Sequence, residues 1–159
     1  MPAEFGPVLS GEFGCGARVA AGADVDELVV VLGGVMENFA ITGGTIAQFP
    51  DLVCSMAAVK QAAAANRDLA LLPPKTAEAI IEACKEIRAG GLADQFTVDP
   101  VQGGAGTSTN MNADEVIANR ALELLGHPRG DVLHPLEHVN LNQSTNDVYP
   151  TAVRLALVT

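Results

Sequence analysis

The spacing of apolar residues predicts a helix that begins at Pro50. Proline suits the first turn of a helix because its missing N–H would have no partner inside the helix. Apolar side chains then recur at intervals of three and four residues, which is the spacing of one helix face. The predicted face consists of Leu52, Met56, Val59 and Ala63. We expect this helix to end near Leu71, ahead of Pro73 and Pro74.

The same periodicity predicts two further helices. The second opens at the prolines and is closed by Gly90 and Gly91. Its predicted apolar face consists of Ala77, Ile80, Ile81, Cys84 and Ile87. The third is predicted to begin at Asn112, because Glu115 follows three residues later as in a capping box, and to end at Gly126.

The last third of the chain should hold irregular structure and then one more helix. Residues 134–140 are predicted to be irregular, and a fourth helix should begin between Asp147 and Pro150. The residues predicted to face inward are Val153, Ala156 and Leu157. The helical pattern stops at Thr159 without a C-cap, so we expect the chain to be truncated there. Helical periodicity from Pro50 onward makes the predicted fold class all-α.

The first residues fit this pattern least well. Residues 1–34 mix glycines with an apolar run at 28–32 that periodicity cannot assign to a strand or a helix. They are predicted to form an atypical, short irregular or extended segment that is frame-shifted or miscalled. The predicted organisation is therefore this segment, a helical domain over residues 35–146, and the start of a following helix over residues 147–159.

Composition narrows the class of protein. Hydrophobic residues make up 48% of the chain and charged residues 18%, which is typical of a globular protein. A formal net charge of -10 argues against nucleic acid or an anionic membrane as a partner, because both require a basic surface. Neither a membrane-spanning stretch nor a secretory signal is visible. Three widely spaced cysteines indicate reduced thiols and a cytoplasmic protein.

Two hydroxyl-rich stretches carry the candidate chemistry. Residues 102–112 are dense in glycine and bring Thr107, Ser108 and Thr109 just outside the predicted third helix, where a helix N-terminus favours an anion. The stretch lacks the Lys of a Walker A loop and the third glycine of a dinucleotide fingerprint. Residues 143–147 again place hydroxyls before a helix. Both stretches are also open to a purely structural interpretation, as ordinary helix caps.

A metal site is not predicted. His134, Glu137 and His138 lie close in sequence, but their spacing lacks a helical frame and no further ligands are evident.

Two longer sequence motifs indicate a resemblance to a known family. Residues 103–112, with the sequence GGAGTSTNMN, and residues 138–147, with the sequence HVNLNQSTND, resemble the first two signature regions of the aspartase/fumarase superfamily. Within this superfamily, the two motif sequences are most similar to those of the aspartate ammonia-lyases. The resemblance extends roughly from Glu37 to Thr159 and implies the helical N-terminal domain of that fold.

The resemblance implies a function and assigns site residues. The expected reaction is the reversible conversion of L-aspartate to fumarate and ammonia by a carbon–nitrogen lyase that needs no cofactor. By resemblance, Thr107, Ser144 and Thr145 bind the β-carboxylate of this dicarboxylate substrate and Asn146 orients its amino group, with Ser108 a weaker candidate.

The resemblance also implies that the site is incomplete in this chain. The family's general base is a serine in a later domain, so no catalytic base is expected here and the fragment alone should be inactive. The full-length protein is expected to be a homotetramer. The alternatives are a class II fumarase-like hydro-lyase and a non-catalytic helical domain, since the superfamily includes lens crystallins.

Overall fold

The computed structural model describes residues 41–65, 71–101, 106–128 and 132–158. The atypical segment predicted over residues 1–34 lies outside these residues, so that prediction and the domain boundaries drawn from it remain predictions. Residues 66–70, which precede the predicted end of the first helix near Leu71, also lie outside them.

The described chain is helical, and it contains no β-strand. The four α-helices are α1 (Pro50–Ala65), α2 (Pro74–Arg88), α3 (Thr107–Leu125) and α4 (Thr145–Ala156). Short 3-10 turns lie at Ile46–Gln48 and Ala93–Gln95, and a single π-helical turn at Pro135–Val139. The all-α prediction is confirmed. None of the described helices has the length and apolar character needed to span a membrane.

The helices enclose one hydrophobic core. Helix α1 packs against α2 and α4, and α2 packs against α3. The largest fully buried apolar side chains include Met56, Ile80, Phe96, Ile117 and Leu122. Burial of each such side chain stabilises the fold by about 1.5–3 kcal/mol.

The predicted face of α1 is confirmed in part: Met56 is buried, and Leu52 and Val59 pack against the core. Leu52, Val59 and Ala63 are only partly buried. The buried residues are Val53, Ser55, Met56, Ala57, Lys60 and Ala64. The helix is rich in alanine on several sides and packs against neighbours on two, so apolar spacing could not identify the face that is most enclosed.

The prediction for α2 is confirmed. Of its predicted apolar face only Ile81 is half-buried, and the other members are buried. Gly90 has a left-handed φ of 91°, and the N–H of Gly91 donates to the carbonyl of Glu86 at 3.0 Å. This is the hydrogen bond that closes a helix through a left-handed glycine.

Helix α3 begins at Thr107 and not at Asn112. The Asn112 side chain is not a cap: it accepts from the N–H of Thr97 at 3.1 Å and donates to the carbonyl of Gln95 at 3.0 Å. The prediction that residues 107–109 lie outside the helix is therefore wrong, because they form its first turn. The predicted end is confirmed, since Gly126 follows the helix with a φ of 73°.

The segment predicted to be irregular contains the π-helical turn, and two histidines fix it. The Nδ1 atom of His134 accepts from the N–H groups of Leu136 at 3.2 Å and Glu137 at 3.3 Å. The N–H of His134 in turn donates to Nδ1 of His138 at 2.8 Å. Ring nitrogens acting as backbone caps are not a sequence pattern that periodicity detects.

Helix α4 begins at Thr145, earlier than predicted. Its buried residues are Val148 and Ala152, whereas Val153 and Ala156 are half-buried and Leu157 is 80% exposed. The inward face was thus misplaced, since Val148 and Ala152 are the residues that this helix buries.

Candidate active-site half: two adjoining helix N-termini

The first helix N-terminus is set by Gly106. This residue has a φ of 78°, in the left-handed region that L side chains rarely adopt. Its carbonyl accepts from the N–H of Asn110 at 3.0 Å and so opens α3. Thr107 is exposed at the start of the helix and Ser108 is half-buried. The N–H groups of a first helical turn carry partial positive charge and favour an anion.

The second helix N-terminus is set by Ser144. Its backbone is extended, with a φ of -104° and a ψ of 139°, and its hydroxyl oxygen accepts from the N–H of Asn146 at 3.2 Å. Such an N-cap stabilises a helix by about 1 kcal/mol. Thr145 is half-buried, and Ser144 and Asn146 are exposed.

Contact between Gly106 and Tyr149 brings the two N-termini together. A Cβ atom built on Gly106 would lie 2.4 Å from the Tyr149 ring, a distance that no side chain tolerates. Tyr149 lies about one turn into α4, so the start of α3 sits against the first turn of α4. The structure thereby gathers the predicted residues Thr107, Ser144 and Thr145 on neighbouring helix starts.

A buried ion pair lies behind these helix starts. The Lys60 ammonium lies 2.7 Å from Oδ1 of Asp114, and both side chains have 0% exposure. Lys60 also donates to Oδ1 of Asn140 at 2.7 Å. The Asn110 amide donates to Oδ2 of Asp114 at 3.0 Å and to the same Asn140 oxygen at 3.1 Å. A buried charge requires an opposite charge and hydrogen bonds, and Lys60 has both in Asp114 and Asn140.

Burial moves the pKa values of this cluster. Burial raises the pKa of Asp114 to about 6, although Lys60 opposes the shift. Burial likewise lowers the pKa of Lys60, and Asp114 opposes that change. Asp114 is therefore mostly ionised at neutral pH, and the attraction between the two groups favours the charged form of each.

Glu115, which follows Asp114 in the chain, has a different protonation state. Burial and the neighbouring Asp114 charge raise its pKa to about 9, so the carboxyl group is protonated at neutral pH. Its two oxygens have no hydrogen-bond partner among the described residues. A protonated carboxyl avoids placing a second negative charge beside Asp114.

Sequence reasoning missed the residues of this buried cluster. Lys60, Asp114 and Asn140 come from separate parts of the chain, and only the fold brings them together. One signal was present: Lys60 stands in a run of small apolar residues, where a charge would be expected to need a partner.

The ring nitrogens of His134 and His138 accept hydrogen bonds from backbone N–H groups. Over the described ranges, no group of three His, Cys, Asp or Glu side chains is placed to bind a metal ion.

Comparison with known proteins identifies the family. The family model described as Lyase matches residues 32–159, which is most of the chain. The chain belongs to this lyase family, the aspartase/fumarase superfamily. The resemblance expected from the two signature stretches is therefore confirmed.

Relatives of this chain include aspartate ammonia-lyases. The chain is 55% identical to the aspartate ammonia-lyase of Pseudomonas aeruginosa over 126 residues, which is 77% of this chain and 27% of that protein. It is 54% identical to that of Bacillus subtilis over 123 residues, which is 76% of this chain and 26% of that protein. The chain thus spans about a quarter of the length of these relatives.

Solved structures of lyases share the fold. A fumarate lyase:delta crystallin from Brucella melitensis superposes with a TM-score of 0.75 at 57% identity, over 78% of this chain and 29% of that one. A class II fumarase from Schistosoma mansoni superposes with a TM-score of 0.72 at 36% identity, over 79% of this chain and 27% of that one.

Proposed function

We propose that this chain is the N-terminal part of an aspartate ammonia-lyase, which reversibly converts L-aspartate to fumarate and ammonia. In this proposal Thr107, Ser144 and Thr145 bind the substrate's β-carboxylate, and Asn146 helps orient the amino group. Ser108 is a weaker candidate for the same role. The observation that carries the proposal is the contact of Gly106 with Tyr149, which sets two hydroxyl-bearing helix starts side by side.

The chemistry of the reaction needs donors of this kind. Removing the proton next to a carboxylate produces a carbanion whose charge spreads onto the carboxylate oxygens. Preorganised donors aimed at those oxygens stabilise the intermediate more than the substrate, and each is worth about 3–4 kcal/mol in comparable sites. Hydroxyls and helix-start N–H groups donate without adding a group that titrates near neutral pH.

The rest of the proposed enzyme lies outside this chain. The general base, by family resemblance a serine on a later loop, and the group that binds the second carboxylate are expected from the remainder of the protein. We propose a cytoplasmic homotetramer that uses no cofactor and binds neither nucleic acid nor membrane. The exposed hydroxyls of Thr107 and Ser144 are consistent with a site completed by other parts of the assembly.

The degree of identity favours aspartate over malate as substrate. The aspartate ammonia-lyase of P. aeruginosa is 55% identical to the chain, and the class II fumarase of S. mansoni is 36% identical. A fumarase-like hydro-lyase is the second candidate. A non-catalytic member is the third candidate, because the name of the B. melitensis structure includes delta crystallin.

A chimera tests the proposal. The aligned segment of the P. aeruginosa enzyme is replaced by this chain's residues, and fumarate formation is followed by ultraviolet absorbance with aspartate or malate. The proposal expects fumarate from aspartate. Fumarate from malate alone would favour the hydro-lyase, and a folded chimera inert to both would favour the non-catalytic member.

A further inference from the structure

We propose that Asn140 is a positioning residue that fixes the two hydroxyl-bearing helix starts relative to each other. This inference rests on the proposed function for its consequence in catalysis. Asn140 follows the π-helical turn and lies four residues before Ser144. It therefore stands outside the residues proposed to touch the substrate.

The Asn140 carboxamide oxygen joins α1 to α3. It accepts from the Lys60 ammonium at 2.7 Å and from the Asn110 amide at 3.1 Å. Lys60 is fully buried, and its second partner is Asp114 at 2.7 Å. The oxygen is thus held by donors from two helices, and one of those donors carries a buried charge.

The Asn140 amide nitrogen controls the approach to Ser144. It donates to the carbonyl of Gln143 at 3.2 Å, and the N–H of Gln143 donates back to the carbonyl of Asn140 at 3.0 Å. The Gln143 side chain also donates to the carbonyl of Val139 at 2.7 Å. These bonds close the short loop that ends at the N-cap residue Ser144.

Asn110 carries the same constraint to the other helix start. It belongs to the first turn of α3, and its N–H donates to the carbonyl of Gly106 at 3.0 Å. Its side chain meets Asn140 and Asp114. One carboxamide therefore links the turn that bears Thr107 with the loop that bears Ser144.

Asparagine suits this position because its side chain carries both a hydrogen-bond acceptor and a hydrogen-bond donor. The oxygen accepts two hydrogen bonds while the nitrogen donates one. Alanine removes both functions. Aspartate keeps the acceptor and loses the donor to Gln143. The two substitutions therefore separate the link between α1 and α3 from the link to the Ser144 loop.

Hydrogen exchange of the full chain, followed residue by residue by NMR, tests the structural part. In Asn140→Ala, we expect the N–H groups of Asn110 and Val148 to exchange about threefold to tenfold faster, the effect of losing a hydrogen bond. These N–H groups donate to Gly106 and Ser144. Exchange at Ala89, whose N–H donates to the carbonyl of Lys85 at the end of α2, should be unchanged. Unaltered exchange at both helix starts, or equal acceleration at Ala89, would overturn the inference.

Two further variants keep the test decisive if Asn140→Ala does not fold. Asn140→Asp should keep slow exchange at Asn110 and speed exchange at Val148. Asn142→Gly is the matched control in the same loop: Asn142 is exposed and has a φ of 57°, which glycine adopts without strain. Exchange at both helix starts should be unchanged in the control. Faster exchange at both in Asn142→Gly would show that any loop change has this effect and would overturn the role of Asn140.

The catalytic part is measured in the chimera with aspartate. Asn140→Ala should lower kcat about 100-fold, because small misplacements of binding groups have costs of that order, while KM changes less. Unchanged kcat in an active chimera would overturn the inference. A parent chimera that does not deaminate aspartate would instead contradict the proposed function, and the exchange measurements would still decide whether Asn140 joins the two helix starts.

Discussion

The Lys60 ammonium and Oδ1 of Asp114 lie 2.7 Å apart with both side chains at 0% exposure, so one helix pair is joined by a fully buried ion pair. Removing one partner of such a pair leaves an uncompensated buried charge, which costs about 3–5 kcal/mol. Lys60→Met should therefore lower the free energy of unfolding of the chain by that amount, measured by urea denaturation.

The surface pair of Lys85 and Glu82 is the matched control for Lys60→Met. Its side chains are 54% and 59% exposed, and exposed pairs contribute about 0–1 kcal/mol. Lys85→Met should therefore have little effect. The double variant Lys60→Met/Asp114→Leu should recover much of the lost stability, because no unpaired charge remains. Equal losses from Lys60→Met and Lys85→Met would contradict the burial of the pair.

Glu115 should make the chain less stable as pH rises. Its pKa is raised by burial from 4.5 to about 9, so the folded state holds a proton that the unfolded state releases. The contribution of Glu115 to the free energy of unfolding is fully present below the pKa of the unfolded state. Between that pKa and the pKa of the folded state, it falls by at most about 1.4 kcal/mol per pH unit. Urea denaturation at about pH 5, 7 and 9 measures this decline in the free energy of unfolding.

Glu115→Gln isolates that pH effect, because the amide is neutral at every pH. The part of the decline that comes from Glu115 should be absent in this variant. Asp114, whose pKa of about 6 is also raised, keeps a smaller decline at lower pH in both proteins. Identical pH profiles for the parent and Glu115→Gln would contradict a protonated Glu115 in the folded state.

Gly106→Ala should destabilise the chain and separate the two helix starts. An added Cβ would meet the Tyr149 ring at 2.4 Å, in addition to the strain of a φ of 78°. Gly126→Ala is the control, because Gly126 has a φ of 73° with no atom within 4 Å of the added Cβ. The loss in Gly106→Ala should exceed that in Gly126→Ala by about 1–3 kcal/mol, the usual cost of overpacking. Equal thermal midpoints for the two variants would rule out the close contact.

Cys84 should resist alkylation in the folded chain. Burial raises its pKa to about 12, so almost no thiolate is present at neutral pH. Treatment with iodoacetamide followed by peptide mass spectrometry should find Cys84 modified only after denaturation. Half-buried Cys54 provides an internal comparison. Equal labelling of Cys84 before and after denaturation would contradict its burial.

Some elements were predictable from sequence because local chemistry decides them. Helix α2 has prolines at its start, a contrasting apolar face and Gly90 at its end, and the structure follows all three. Gly126 likewise ends α3 as predicted. The alanine-rich α1 offered no such contrast, so only part of its buried face was predicted.

Other elements depend on partners that are distant in sequence. Asn112 looked like a helix cap, but tertiary hydrogen bonds to Thr97 and Gln95 place it within α3. The Lys60–Asp114 pair exists only once α1 and α3 have packed. The hydroxyl residues could be predicted because they belong to a sequence motif, whereas Lys60, Asp114 and Asn140 belong to no local pattern.

The most direct test of the central claim is made in the aspartate-active chimera with Thr107→Val and Ser144→Ala. If these hydroxyls bind the carboxylate, each variant should lower kcat/KM by about 10²–10³-fold, as loss of one preorganised donor does. Thr151→Val is the control, since its hydroxyl donates to the carbonyl of Asp147 inside α4, at 2.6 Å. Retained kcat/KM in folded Thr107→Val and Ser144→Ala chimeras would contradict carboxylate binding by these hydroxyls.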